Sequence, residues 1–114
     1  NDPHTLLVGD LNARTGNLKD YIEEDGTEYI ENVDWYEKDT FSIPRCNKDT
    51  ECNTFGQSLI ELCCSLDLHM LNGRTEGDPN GEYTCLANKG HSTVDYMIVD
   101  TELFDKVHGF KVEI

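Results

Sequence analysis

Leu7-Val8-Gly9-Asp10-Leu11-Asn12-Ala13-Arg14 is an apolar run that ends on an acid and an amide two residues apart. Read with Thr5 and Leu6, it predicts a buried strand over 5–10, bounded by Pro3 and by a turn from Asn12 to Gly16. Side chains alternate across a strand, so Asp10 and Asn12 are expected on one side. The acid can take a proton and the amide can donate to an oxyanion. Each also has an ordinary reading: an Asp at a strand end commonly bonds to the backbone two residues on, and an Asn in a turn is commonplace. A further acid stands in Ser92-Thr93-Val94-Asp95-Tyr96, inside an otherwise apolar strand that ends at Ile98-Val99. Burial of an unpaired carboxylate is costly, so Asp95 is expected to have a partner, for which a neighbouring Tyr or Ser would serve.

Between these two segments the periodicity changes. Phe55, Leu59, Leu62, Cys63 and Leu66 recur at helical spacing, and Thr54 with Gln57 forms a capping-box pattern, so a helix is predicted to cover one sheet face. His69-Met70-Leu71 reads as a short strand ended by Asn72-Gly73, and Asp78-Pro79-Asn80-Gly81 as a turn. Glu82 to Leu86 is predicted as a strand, Asn88-Lys89-Gly90 as a tight reversal, and Ser92 to Val99 as its antiparallel partner. Thr101 is placed to cap a short helix over 102–107, Gly109 to end it, and Phe110 to Ile114 to return as a strand. No repeat or low-complexity tract is visible.

The GDxN motif at Gly9-Asp10-Leu11-Asn12 and the STVDY segment at 92–96 together resemble the endonuclease/exonuclease/phosphatase superfamily, the Mg-dependent phosphodiesterases that include DNase I-like nucleases, abasic-site endonucleases and non-LTR retrotransposon endonucleases. Thr54 to Cys63, Leu68 to Arg74 and Gly81 to Cys85 are similar to the connecting segments of the retroelement branch, in the same order. The likeness spans most of 4–114 and is poorest over 19–50. It implies an α/β fold: the C-terminal half of a four-layer DNase I-like sandwich, mostly antiparallel sheets flanked by helices, with 19–50 a variable acidic insertion and 1–114 a partial domain. In the family the GDxN strand lies mid-domain, after strands that carry a metal-binding Asn and Glu and a catalytic Tyr, and a Ser-Asp-His motif follows a strand like 110–114. Neither group has a counterpart in these residues. The expectation is therefore a fragment without turnover of its own, whose uncovered apolar sheet face favours aggregation or loose packing.

The resemblance also implies roles. Asp10 orients and deprotonates the attacking water, Asn12 donates to a phosphate oxygen, and both lie at the Mg2+, for which Mn2+ is a substitute. Asp95 matches the acid that holds the catalytic imidazole. Arg14 is placed to touch a phosphate, though a surface arginine is the plainer reading. Arg74, Lys89 and His91 fall on loops near strand ends, as nucleic-acid contacts or as solvated side chains. Tyr83 matches the aromatic position before Thr84, in a core or supporting role. His4, His69 and His108 have no partner at readable spacing and receive no role.

The expected partner is DNA, and composition argues against it. Nine basic and 23 acidic residues give a net charge of −14, the wrong sign for binding nucleic acid by electrostatics alone. Residues 19–39 hold nine of the acids and two lysines, a net of −7, so half the excess lies in one stretch. That stretch lacks the alternate-position carboxylates and central Gly of an EF-hand loop; it reads as a solvated loop or frayed helix pinned by Tyr21, Ile22, Tyr29, Ile30, Val33 and Trp35, with a calcium or partner site through Asp34, Asp39 and the glutamates as the alternative. A phospholipid or inositol phosphate substrate would suit the acidity better, and a non-catalytic interaction module is the reading outside enzymology.

Five cysteines, an odd number, with no signal peptide and no Cys-x-x-Cys or paired-His pattern, favour free thiols and an intracellular setting, nuclear for a retroelement endonuclease. Cys63 is expected on the apolar face of the helix as a small hydrophobe. No apolar run approaches the ~18 residues of a membrane span.

Overall fold

The computed structural model describes residues 3–22 and 41–113. Tyr29, Ile30, Val33 and Trp35, and with them the calcium reading of Asp34 and Asp39, lie outside the described residues. In chain order the elements are β1 (Leu6–Asp10), α1 (Thr54–Leu66), β2 (Leu68–Met70), β3 (Cys85–Ala87), β4 (Gly90–Ser92), β5 (Asp95–Asp100) and α2 (Thr101–Phe104). They make a small α/β domain with two antiparallel sheets, a three-stranded one in the order β1-β5-β2 and the β3-β4 hairpin.

Alternation along β5 divides the core. Tyr96 and Ile98 face α1 together with Leu68 and Met70, and close on Leu59, Ile60, Cys63 and Ala13. Met97 and Val99 face the other way, where Leu71, Tyr21, Phe41 and Phe104 form a second cluster. Both clusters pack on the central strand, as a sheet with two covered faces requires.

Helix α1 begins one residue earlier than its capping-box pattern suggests: Asn53 is the N-cap, and its Oδ1 accepts from Gly56 N at 2.8 Å. Its buried face is Gly56, Leu59, Ile60 and Cys63, while Phe55, Leu62 and Leu66 stay exposed. Gly56 explains the rotation. A Cβ there would lie 1.8 Å from the carbonyl oxygen of Arg14, so only glycine lets the first turn press against the loop after β1. The helix ends at Asp67, in the left-handed conformation at φ +56°, with its N–H bonded to Cys63 O.

Four expectations from the sequence are corrected. The apolar run over 5–10 predicts burial, yet β1 is the outer strand of its sheet, with Leu6, Leu7 and Val8 exposed; an apolar run signals two covered faces only for a strand with neighbours on both sides. The strand expected over 82–86 pairs with 92–99 only at Ser92, which faces Cys85 and accepts from Thr84 N at 2.9 Å; the hairpin closes locally between β3 and β4, and β5 pairs instead with β1 and β2. Asp100, not Thr101, caps α2, accepting from Leu103 N at 2.7 Å, and 110–113 form no strand.

Candidate functional site

The register of β1 on β5 sets Asp10 directly opposite Asp95. Ladder bonds from Asp100 N to Thr5 O and from Leu11 N to Val94 O place the hydrogen-bonded pairs at 5/100 and 11/94, so 7/98 and 9/96 follow in step and 10/95 falls between. A non-hydrogen-bonded antiparallel pair is the closer kind, with Cα atoms about 4.5 Å apart and both side chains on one face. Two carboxylates thus share one patch of sheet, and like charges opposed in this way are destabilising.

Asp10 is exposed, and its Oδ1 accepts from Asn12 N at 2.8 Å, the backbone-bonding turn that strand-end aspartates make. Strand alternation stops there. Asn12 takes a left-handed φ of +51°, so its amide is placed by the turn and not by the pleat. Asp95 is half-buried rather than buried, because it starts β5 where the sheet opens. Its backbone is held on both sides: its N–H donates to Thr84 Oγ1 at 3.1 Å and its carbonyl accepts from Asn72 Nδ2 at 3.0 Å. Among the described residues neither its carboxylate nor the Asn12 side chain makes a hydrogen bond or ion pair. Asp95 therefore does without the partner that full burial would demand. It lines a cleft of about 450 Å³ whose walls include Val8, Thr84, Met97, Phe110 and Val112.

Arg14 does not reach into that cleft. Its guanidinium grips Asp49 with two bonds, Nε to Oδ2 at 2.9 Å and Nη2 to Oδ1 at 2.7 Å, and the Asp49 hydrogen bond raises its pKa. Arg74 makes a fully buried ion pair: its Nη1 donates to Asp20 Oδ2 at 2.7 Å with both side chains sealed from solvent, and it lies over the ring of Phe41. The reading of Arg74 as a solvated or nucleic-acid-contacting residue is corrected by this burial. Lys89 and His91 are exposed on the β3-β4 hairpin, and Tyr83, half-buried, packs against His91 and donates to Lys48 O at 3.2 Å.

Sequence reasoning missed the network around Asp20. This acid, first of the run read as solvated, is fully buried; it also accepts from Met70 N at 2.8 Å. His69 is fully buried beside it, stacked on Phe41 at 3.7 Å, with Nε2 in hydrogen-bond contact with Asp67 Oδ1 and Thr101 Oγ1. Its Nδ1 stands 3.6 Å from Asp20 Oδ1, and these two facing atoms are both without a hydrogen bond. Burial pushes the Asp20 carboxyl up, but contacts with His69, Arg74 and the Met70 N–H outweigh it and bring the pKa down to about 2. A charge count cannot tell such an acid from its solvated neighbours.

None of the five cysteines is in a disulfide among the described residues, and Cys63 is buried as expected. Among the described residues no three His, Cys, Asp or Glu side chains converge as a metal cage, and no helix is long and apolar enough to cross a membrane. No protein-family model, curated protein or solved structure matches the chain.

Proposed function

We propose that Asp10, Asn12 and Asp95 belong to the active site of a Mg2+-dependent phosphodiesterase of the endonuclease/exonuclease/phosphatase kind, retroelement type, acting on DNA. In this reading the β1-β5-β2 sheet and α1 are parts of a DNase I-like sandwich. The supporting observation is the Asp10–Asp95 pair: two segments 85 residues apart, each matched to a family motif, set their acids side by side at the open end of one sheet.

The donors suit a hard cation. Mg2+ takes one or two carboxylates and completes its shell with water and phosphate, so a full protein cage is not required. Asp10 and Asn12 would hold it; when bound, it offsets the charge of the phosphate and of the acid pair. The chain's own groups do the rest. Asp10 takes a proton from the attacking water, the Asn12 amide donates to a non-bridging phosphate oxygen, and Asp95 orients an imidazole toward the leaving oxygen. No His in these residues matches the family's general acid.

A second reading, a small phosphodiester such as an inositol phosphate, is favoured by the disposition of the basic residues. Arg14, Arg74, Lys48 and Lys111 are each engaged by an acid, which leaves little positive surface for a polyanion. Fluorescence anisotropy of an end-labelled DNA duplex, titrated with the chain in Mg2+ and in EDTA, tests the proposal. Binding that needs Mg2+ and is lost in Asp10→Ala and Asn12→Ala is expected. Competition by a dinucleotide or by an inositol phosphodiester distinguishes the two substrates, and absence of any Mg2+-dependent binding overturns both.

A further inference from the structure

The ladder between β1 and β5 ends at Leu11 and Val94. Beyond it the Asn12 turn has no strand to hold it, yet a site shared by Asn12 and Asp95 requires the two loops in register within about 0.5 Å. The buried side chain of Asp49 is a tie between them that carries charge. Asp49 Oδ2 accepts from Arg14 Nε and from Thr93 N, both at 2.9 Å, while Oδ1 accepts from Arg14 Nη2 at 2.7 Å and Glu51 N at 3.2 Å. Arg14 stands two residues after Asn12, and Thr93 two residues before Asp95.

We infer that Asp49 is a positioning residue for the phosphodiester site, acting through Arg14 and Thr93 to lock the Asn12 turn against the Asp95 strand. The inference rests on the reading of Asp10, Asn12 and Asp95 as one site. Four donors converge on this carboxylate, which is 2 % exposed and comes from a stretch without regular secondary structure. Burial pushes its pKa up, but the bonds from Arg14, Thr93 and Glu51 outweigh that, so it stays ionised. Two neighbours hold the same loops: the Tyr96 hydroxyl lies 2.7 Å from Ala13 O and 2.8 Å from Thr93 O, and Asn53 Oδ1 accepts from Arg14 N at 3.0 Å. Arg14, expected from sequence to touch phosphate, acts here through Asp49 instead.

Titration of the 15N-labelled chain with Mn2+, read from paramagnetic broadening of backbone amides, tests this. In the wild type Asp10, Asn12 and Asp95 are expected to broaden together at one ion concentration. Asp49→Asn removes the charge; Arg14→Lys keeps every charge and removes only the two-pronged grip, so its effect reports geometry. Both are expected to weaken Mn2+ binding about tenfold, as loss of supporting contacts does at metal sites. The amides of Leu59, Ile60 and Cys63 should keep their wild-type positions. Wild-type titration curves in Arg14→Lys overturn the inference and leave the site reading standing. Absence of broadening at Asp10, Asn12 and Asp95 in the wild type overturns the site reading, and the inference with it. Should Asp49→Asn shift the α1 amides through misfolding, Arg14→Lys, whose side chain is 31 % exposed, carries the decision.

Discussion

Asp20→Asn is the substitution for which the structure gives the largest effect. Among the described residues Asp20 is the acid paired with the buried Arg74 guanidinium, it receives Met70 N from the outer edge of β2, and it faces His69 Nδ1. Asparagine keeps the shape and one acceptor oxygen but sets an NH2 or a neutral oxygen against a buried cation. Breaking a buried pair by removing one partner costs about 3–5 kcal/mol, because the remaining charge stays desolvated. Against a total of about 5–15 kcal/mol for a domain, that is a large fraction. With an m value of about 2 kcal/mol/M, the urea midpoint should fall by roughly 2 M.

The pH dependence supplies a second readout. Asp20 is lowered in the folded chain from the ordinary 3.8 to about 2. The carboxylate's contribution is therefore complete above pH 3.8 and disappears as pH falls through about 2; the gap corresponds to about 2 kcal/mol. Urea unfolding at pH 6 and pH 2.5 should show the wild-type advantage over Asp20→Asn shrinking at the lower pH. A midpoint for the variant within about 0.3 M of wild type at pH 6, on a scale where the pair is worth several kcal/mol, would refute this account of the buried network.

Further outcomes follow from other contacts. Gly56→Ala would raise helix propensity by about 1 kcal/mol on an open helix, but here its Cβ meets the Arg14 carbonyl at 1.8 Å, so thermal unfolding should show a net loss of stability. Asp95→Asn should raise the unfolding temperature in EDTA by relieving roughly 0.2–1 kcal/mol of cross-strand repulsion; a higher wild-type stability in EDTA would contradict the facing-acid geometry. Burial pushes the Cys63 thiol up to about 12, so brief iodoacetamide treatment followed by mass spectrometry should find Cys46, Cys52 and Cys85 alkylated and Cys63 untouched until the chain unfolds.

Much was legible in the residues themselves. Helical spacing located α1, the Asn-Lys-Gly reversal located the hairpin, and the apolar run through Ile98-Val99 located β5, because each of these signals is local and complete within a few positions. Asp10, Asn12 and Asp95 were nameable as candidates from motif alone. What the linear order could not supply was which surfaces meet. The exposure of β1 depends on its place at the edge of the sheet, the buried face of α1 on the approach of Gly56 to Arg14, and the sealing of Asp20, His69 and Arg74 on four separate segments closing around Phe41. The opposition of Asp10 to Asp95 belongs to this second kind, since a register between strands 85 residues apart is set by the packing of the whole sheet and not by either strand.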